Sequence, residues 1–420
     1  MTSTRLVRVY LTLVFLQTLA ASFIWGVNTL FLLDAGLSLT EAFVANAAFT
    51  AGMVIFEVPT GAIADSAGRK LSFVLGAVTL LITTLLYLGL WQAQADVIWW
   101  IVVSALIGLG FTFFTGATEA WLVDALHATG YEGGIERVFG RGQTVSGAAM
   151  LIGSVSGGFL AQINLGVPYL FRSGTLVLVI VAALVLMEDI GFEPRRVGSI
   201  RAEVRSVLSA SIQHGFRNRP VRLLMFAAPF ASGVVVWVFY AFQPYLLELL
   251  GDPSAVWVAG IASAVFALAG IVGGSSVGLI SRLAPRRTTV IIAEVLLASL
   301  ALVGVGLASN LTVPLGFWVA IALLTLIALL GAVAGPMQMA YINELIPSGQ
   351  RATVLSFHSL MGSVGGVVTQ PLLGRVADVW SLGVAYVVAG VIKAIALPFL
   401  IVVRKLRLPA DRAPQPADLT

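Results

Sequence analysis

The 420-residue sequence contains no cysteine, which excludes disulfides, thiolate metal sites and thiol nucleophiles. Its three histidines are far apart and lack the spacing of metal ligands. Neither a Gly-x-x-x-x-Gly-Lys-Ser/Thr phosphate loop nor a nucleophile motif occurs. These absences argue against an enzyme, a metal centre and a built-in ATPase, and we expect no cofactor.

Charged side chains are scarce, at 10% of the residues, whereas hydrophobic residues make up 59% and the mean hydropathy is +0.99. No soluble domain of this size has such a composition. A bilayer core about 30 Å thick requires about 20 apolar residues per helix, so a chain of this length holds about twelve spans. The net charge of +4 does not indicate nucleic-acid binding. We therefore expect an all-α integral protein of the plasma membrane.

Apolar runs separated by charges, glycine or proline predict six spans on each side of an arginine-rich stretch. This pattern predicts an N-terminal six-helix bundle (1–188), a basic linker (189–220), a C-terminal six-helix bundle (221–404) and a tail (405–420). We expect the first run to be retained as a helix, because no cleavage pattern follows it. The predicted spans are 8–33, 41–63, 71–94, 97–123, 142–164, 168–188, 221–250, 255–280, 288–308, 314–342, 352–375 and 382–403.

The basic residues concentrate on one side of the predicted membrane. All 24 lysines and arginines except Arg172, Arg375 and Lys393 fall at the termini, in the linker or in alternate loops that share one side. Loops on the cytoplasmic side of a membrane carry an excess of lysine and arginine. Both termini and the linker are therefore expected to be cytoplasmic.

The two halves of the sequence repeat each other. Segment 115–124 aligns without a gap with segment 335–344, which matches aromatic with aromatic and acid with acid. Segment 61–70 aligns in the same way with 278–287, although arginine and proline replace the acid and the second glycine of the first copy. Two like halves with even numbers of spans are typical of transporters that rock around a midplane site.

Segment 61–70 reads Gly-Ala-Ile-Ala-Asp-Ser-Ala-Gly-Arg-Lys. It resembles the loop signature of the major facilitator superfamily, Gly-x-x-x-Asp-(Arg/Lys)-x-Gly-Arg-(Arg/Lys), and departs from it at Ser66. The resemblance covers nearly the whole chain and implies twelve transmembrane helices in two bundles related by a pseudo-two-fold axis. It also implies transport by alternating access without a cofactor.

The resemblance further implies that the loop holds the two halves in the outward-facing state. The alternative is that its two cations only enforce the topology of the chain. The predicted gating residues are Gly61, Asp65, Gly68, Arg69 and Lys70, with Arg137 and Arg141 as partners of the loop.

Ionisable groups inside spans cost on the order of 3 kcal/mol at a helix centre, so each of them is a candidate functional site. The family's helices 1, 4, 7 and 10 surround the cavity, which makes Glu119 the first choice for a carboxylate that takes up a proton or meets a cationic substrate. Glu57 and Asp124 are further candidates, with ion pairs to Arg137 or Arg141 as the alternative role.

Two more coupling candidates also have a structural alternative. Asp34 is either a proton entry point or a solvated acid at a helix end, and His358 is either a proton relay or a hydrogen-bonded packing residue. Glu294 and Lys393 lie on helices that are peripheral in the family, and we expect them to pair or to snorkel.

A set of aromatic and amide side chains in spans 1, 7 and 10 is predicted to line the substrate cavity, although packing is the alternative for each member. Amides donate and accept hydrogen bonds, and aromatic rings offer apolar and cation-binding faces. Such a lining favours amphipathic or weakly cationic organic compounds. The set comprises Trp25, Asn28, Trp237, Tyr240, Gln243, Gln338 and Tyr341.

Glycines that recur every four residues give helices small faces, which allow close backbone contact. In the family, helices 5 and 8 and helices 2 and 11 form the contacts between halves, so these glycines are predicted to pack there, with ordinary helix packing as the alternative. The pairs are Gly153 and Gly157, Gly270 and Gly274, and Gly362 and Gly366.

Segment 149–158 resembles the family's antiporter pattern Gly-x-x-x-Gly-Pro-x-x-Gly-Gly, with Ala149 and Ser154 as departures, and favours export. The sequence therefore predicts a monomeric secondary transporter that exports small amphipathic organic compounds in exchange for protons. Two alternatives remain open, an importer of a small metabolite and a non-transporting receptor or scaffold with the same fold.

Overall fold

The computed structural model describes residues 2–194, 218–284, 286–347 and 351–412. Most of the predicted linker, with Arg195, Arg196, Arg201, Arg205 and Arg217, lies outside the described residues, as does the end of the predicted tail. The described part of the chain is helical and contains one isolated β-bridge, between Arg286 and Arg412.

Fifteen α-helices form within the described residues and follow the predicted spans closely. In the first half they are α1 (Ser3–Trp25), α2 (Asn28–Asp34), α3 (Leu39–Ala67), α4 (Arg69–Ala93), α5 (Val97–Phe114), α6 (Ala117–Ala128), α7 (Ile135–Ile163) and α8 (Val167–Leu186). In the second half they are α9 (Arg219–Leu250), α10 (Trp257–Leu283), α11 (Arg287–Leu307), α12 (Leu315–Leu345), α13 (Arg351–Val379), α14 (Leu382–Ala394) and α15 (Ala396–Lys405).

Three predicted spans are each divided into two helices. The first span breaks after Trp25, and the fourth breaks at Gly116, whose φ of 73° ends one helix and begins the next. The twelfth span breaks at Ile395, three residues before Pro398, which has no N–H to donate to the carbonyl of Ala394. These breaks place helix ends inside segments that hydropathy alone predicts to be continuous.

Eleven helical segments within the described residues are long and apolar enough to cross a membrane. Helix α13 occupies the position of the remaining predicted span but is more polar, because it carries His358, Gln370, Arg375 and Asp378. The chain is therefore a multi-pass membrane protein by length and composition.

The helices belong to two compact units. Unit 1 consists of Met1–Leu37, Val44–Val204 and Ser254–Ala264, and unit 2 of Ser38–Phe43, Arg205–Pro253 and Val265–Thr420. In unit 1, α1 packs along α7 and α8, and α4 packs along α5 and α8. In unit 2, α9 packs along α13, and α11 packs along α12 and α14.

Glycines allow the close packing of α1 against α7 in unit 1. A Cβ added at Gly153 would lie 2.2 Å from Ser22 Oγ, and one added at Gly157 would lie 2.0 Å from the carbonyl oxygen of Phe23. Both predicted interdomain glycines thus face a helix of their own half. Ordinary helix packing, the alternative given above, describes them.

The second-half glycines differ from one another. Gly362 faces Ser232 of α9, again within one half of the sequence, whereas a Cβ at Gly270 or Gly274 would meet no atom within 4 Å. The close approach of α7 to α10 inside unit 1 is made instead by Gly158 and Gly260. Close helix packing, the alternative role, thus accounts for Gly153, Gly157 and Gly362, and a contribution of the six glycines to the contact between the halves stays a prediction.

Aspartates from distant segments cap three helix N-termini. Asp411 accepts hydrogen bonds from the backbone N–H of Thr288 (2.8 Å) and from its hydroxyl (2.9 Å) at the start of α11. Asp189 accepts from the N–H of Lys70 (2.9 Å) at the start of α4. In unit 2, Asp378 accepts from the N–H groups of the first residues of α3. Carboxylates at these positions satisfy unpaired N–H donors and favour the positive end of the helix dipole.

Removal of the α11 cap is expected to destabilise the protein. Asp411 is 3% exposed, and its carboxylate makes both bonds to Thr288. Asp411→Ala should cost about 1–2 kcal/mol. Asp411→Asn, which keeps one acceptor oxygen, should cost less. The apparent Tm values of the two purified variants in thermal unfolding check this order.

The matched control is Glu132→Ala, which removes an acid from an exposed loop position and should change stability by less than about 0.5 kcal/mol. Equal apparent Tm for Asp411→Ala and Glu132→Ala would contradict a stabilising role of the cap.

Candidate functional site

The break at Gly116 creates the candidate site in unit 1. Helix α6 starts again at Ala117, so the exposed Glu119 lies in its first turn, where the helix dipole favours negative charge. Glu119 borders a cavity of about 400 Å³ between α1, α5, α6 and α7. The other polar side chains on its wall are Tyr10, Gln17, Thr18, Thr115, Thr118, Gln143 and Ser146.

The cavity combines one carboxylate with hydroxyl and amide groups. Thr18 and Ser146 share a hydrogen bond of 3.1 Å, which links α1 to α7 across the wall. Hydroxyls and amides donate and accept, whereas an ionised carboxylate only accepts. The arrangement therefore suits a proton or a ligand that brings hydrogen-bond donors.

Glu119 is predicted from the sequence, but its polar neighbours on α1 and α7 are not. The signal that identifies them is the presence of polar residues in otherwise apolar spans. Gln17 and Thr18 interrupt the first span, and Gln143 and Ser146 lie ten and seven residues before Gly153 on α7. Polar side chains inside a span usually face a protein interior or a cavity.

Segment 61–70 forms an ion-pair network on unit 1. Arg69 Nη1 lies 2.6 Å from Asp65 Oδ1, and Arg69 Nε lies 3.8 Å from Asp124 Oδ2. The guanidinium also lies 5.9 Å from the ring centre of Phe192. One arginine thus connects the end of α3, α6 and the segment after α8.

Gly68 connects α3 to α4 with φ of 116°, a conformation in which glycine has no steric penalty. A Cβ at Gly68 would lie 2.6 Å from Asp189 Oδ2. The same aspartate caps Lys70, whose Nζ donates to the carbonyl of Leu184 (2.8 Å). The loop therefore binds the segment that follows α8.

The predicted partners of the loop are not observed. Among the residues that the structure describes, neither Arg137 nor Arg141 forms an ion pair within 4.0 Å. Asp124 pairs with Arg69 instead, because α6 ends beside the loop. Glu57 is exposed and likewise forms no ion pair with a described residue. The predicted pairs of Glu57 and Asp124 with the two arginines are therefore wrong.

The second half contains a matching ion pair in unit 2. Arg287 Nη2 lies 2.7 Å from Glu344 Oε1, and Arg287 Nη1 donates to the carbonyl of Ala410 (2.9 Å). In the sequence repeat, Arg287 corresponds to Lys70 and Glu344 to Asp124. Each half therefore joins a cation of its loop to the acid that ends its fourth span.

Two further coupling candidates make specific hydrogen bonds. Asp34 accepts from Trp91 Nε1 at 2.7 Å, and His358 Nε2 lies 3.3 Å from Gln338 Nε2. His358 is 8% exposed, so the structure places it as a hydrogen-bonded residue between α12 and α13. Their roles in coupling stay predictions.

Four members of the predicted cavity set are buried in packed cores. Asn28 is buried and bonds with Asn46 and Tyr169. Trp237 is fully buried against Tyr386, with ring centres 4.9 Å apart. Gln243 and Tyr341 are also fully buried, whereas Trp25 and Tyr240 are half-buried.

Gln338 is the member of that set on the wall of a second cavity, of about 450 Å³, in unit 2. This cavity lies between α9, α10, α11, α12 and α14 and has a mostly apolar lining. Trp237 and Tyr341, the fully buried aromatic members in unit 2, pack as core residues, whereas Tyr240 is half-buried. A role of the set in recognition stays a prediction.

Known proteins share the sequence pattern and the fold. A family model described as Major Facilitator Superfamily matches residues 10–324. The chain is 21% identical over 399 residues to "Uncharacterized MFS-type transporter YxaM" of Bacillus subtilis (strain 168), a match that covers 93% of this chain and 94% of that protein. It is 25% identical over 235 residues to "Sugar efflux transporter A" of Dickeya chrysanthemi, covering 55% of this chain and 54% of that protein.

The crystal structure of nucleoside transporter NupG is similar to this chain with a TM-score of 0.79 and 10% identity. The match covers 95% of this chain and 99% of that one. At this identity the likeness shows the fold alone. The all-α membrane fold predicted from the sequence is confirmed.

Gly68 provides a test of the loop geometry. Gly68→Ala introduces a Cβ at a positive φ and against Asp189, and should lower stability by about 1–3 kcal/mol. The matched control is Gly61→Ala in α3, where a Cβ meets no atom within 4 Å and alanine should be neutral or stabilising by up to about 1 kcal/mol. Thermal unfolding of both variants checks this, and equal apparent Tm values would contradict the geometry.

Proposed function

Because the chain belongs to the Major Facilitator Superfamily, we propose that it is a secondary active transporter that exports small amphipathic organic compounds in exchange for protons. The observation that carries this proposal is Glu119, a single carboxylate on the wall of a polar cavity in unit 1. A carboxylate in such a cavity is the type of group that transporters use to bind and release protons. The sequence contains no phosphate-binding loop, so the energy comes from a gradient.

Export is supported by the similarity to a protein named Sugar efflux transporter A and by the antiporter-like segment 149–158. An amphipathic substrate is supported by the two cavities, since the cavity in unit 1 is polar and the one in unit 2 is mostly apolar. The distribution of basic residues supports a plasma-membrane protein with cytoplasmic termini. We propose that the transporter acts as a monomer.

Import of a small hydroxylated metabolite is the second candidate function. The observation that favours it is the set of hydroxyl and amide groups around Glu119. Direction separates the two functions. In proteoliposomes with a defined orientation and an imposed proton gradient, a proton-coupled exporter moves its compound in the direction opposite to the protons. A proton symporter moves its compound in the same direction as the protons.

Glu119→Gln tests the coupling group. We expect it to reduce compound-dependent proton movement by about 10²-fold or more, as for loss of a positioned acid–base group, while leaving exchange of unlabelled for labelled compound measurable. The measurement uses the full chain in proteoliposomes with an entrapped pH-sensitive dye. A thermal-shift panel of sugars, nucleosides and aromatic alcohols and amines first selects the compound.

The control for this experiment is Glu132→Gln, which removes the same charge from an exposed loop position. It should leave the proton movement unchanged. Undiminished proton movement in Glu119→Gln would contradict the assignment of this carboxylate as the coupling group.

Asp65→Asn tests the loop network. The substitution removes the charged partner of Arg69 in the 2.6 Å ion pair. We expect it to slow transport by about tenfold, which corresponds to an increase of about 1.4 kcal/mol in the free-energy barrier of transport. Binding affinity should change by less than about twofold, because Asp65 does not border the cavity of Glu119. Transport rate and equilibrium binding measure the two effects separately. An unchanged transport rate in Asp65→Asn would contradict a gating role of this loop.

A further inference from the structure

A buried ion pair lies on the wall of the cavity in unit 2. Lys393 Nζ of α14 is 3.0 Å from Glu294 Oε1 of α11, and the two side chains are 2% and 13% exposed. Lys393 also donates to the carbonyl oxygen of Ala231 at 3.3 Å. The sequence predicts that each charge pairs or snorkels, and the structure pairs them with one another.

Stability does not explain why the two charges are present. The desolvation of two buried ions cancels much of their attraction, so apolar side chains of similar volume often serve packing equally well. Charged groups inside membrane segments are expensive and are commonly functional. The pair therefore points to a role beyond packing.

The pair is accessible from the cavity. Both side chains line the space of about 450 Å³, together with Ser232 and Gln338. The ammonium has three N–H donors, and the contacts with Glu294 and Ala231 use two of them. The carboxylate has a second oxygen besides the one that faces Lys393. A ligand in the cavity can therefore meet one donor and one acceptor.

The rest of the wall is apolar and aromatic. Phe239 and Phe242 of α9 and Phe266 of α10 line the cavity, with aliphatic side chains and glycines of α12. A cavity of several hundred Å³ with this lining accommodates a drug-sized apolar body.

The charge balance of the pair selects the head group of the ligand. The pair is neutral as a whole, so an ammonium or carboxylate ligand would leave one of three charges uncompensated in a low-dielectric environment. A hydroxyl group instead accepts a hydrogen bond from Lys393 and donates one to Glu294. Its bonds to two charged partners are stronger than bonds between neutral groups.

We propose that the unit 2 cavity binds a neutral amphiphile through its hydroxyl group, which bridges Lys393 and Glu294 while its aromatic or aliphatic body packs against the phenylalanines. The proposal deepens the proposed function, because it names the substrate class of the transporter. Binding is measured without a membrane gradient, so its outcome is independent of proton coupling at Glu119.

Three probes with one apolar body test the head group: 4-phenylbutan-1-ol, 4-phenylbutylamine and 4-phenylbutanoate. Each is titrated calorimetrically into the full chain in lipid nanodiscs, and empty nanodiscs measure partition into lipid. We expect the alcohol to bind about tenfold or more tightly than the amine or the carboxylate, since two hydrogen bonds to charged groups discriminate by at least that factor.

The double variant Glu294→Leu/Lys393→Met removes the pair without leaving a lone buried charge. It should keep its apparent Tm within a few degrees or raise it, and it should lose the preference for the alcohol. Glu132→Gln serves as the control and should keep the preference. Equal binding of all three probes by the unchanged protein, tighter binding of a charged probe, or an alcohol preference that persists in the double variant would each overturn the proposal.

A second pair of variants leaves the ion pair intact, in case the double variant does not fold. Gly331 lines the cavity, and a Cβ at this position meets no atom within 4 Å. The leucine side chain of Gly331→Leu should therefore occupy cavity space and weaken alcohol binding by about tenfold or more. The matched control is Gly89→Leu in α4, another open position outside the cavity, which should bind the alcohol unchanged. Equal binding by these two variants would place the alcohol elsewhere, in a lipid-facing site or in unit 1, and would overturn the proposal.

Discussion

The contact between an aspartate and the first turn of a helix closes each half of the chain on itself. Asp189 follows the last helix of the first half and caps α4, while Asp411 follows the last helix of the second half and caps α11. Each bond joins segments more than a hundred residues apart, with separations of 119 and 123 positions. The free N–H groups of a helix end require such a partner when they lie away from water. The caps therefore fix the chain that leaves each half against the start of that half's third span.

The same repeat extends to the ion pairs and changes the interpretation of segment 61–70. From the sequence, the loss of the acid in the second copy suggests a gating loop in one half alone. The structure instead pairs Arg69 with Asp124 and Arg287 with Glu344, so both copies join a loop cation to an acid of the fourth or tenth span. What differs is Asp65, which adds a close ion pair to Arg69 in the first half. The two halves thus share the ion pair between a loop cation and an acid of the fourth or tenth span, and the first half has one additional ion pair.

Hydropathy predicts the spans because burial in a bilayer imposes length and apolar composition on every crossing helix. It does not predict the break at Gly116, since Thr115 and Gly116 are short and uncharged and do not interrupt the apolar run. Because hydropathy misses that break, it does not predict that Glu119 lies in the first turn of a helix. Side-chain partners are harder still, because the faces of two helices meet in a register that composition does not specify. Glu294 and Lys393 are identified as buried charges from the sequence, but their pairing requires the packing of α11 against α14.

The two cavities differ in charge, and this difference divides the proposed tasks between the units. Glu119 has no cation among the residues that line its cavity, so its carboxylate changes the local charge whenever it gains or loses a proton. Glu294 is neutralised by Lys393 at 3.0 Å, and a change of charge there would leave its partner unpaired at high cost. Proton coupling therefore fits unit 1, where one charge is free to respond. Recognition of a neutral head group fits unit 2, where a fixed charge pair offers a donor and an acceptor without a net charge.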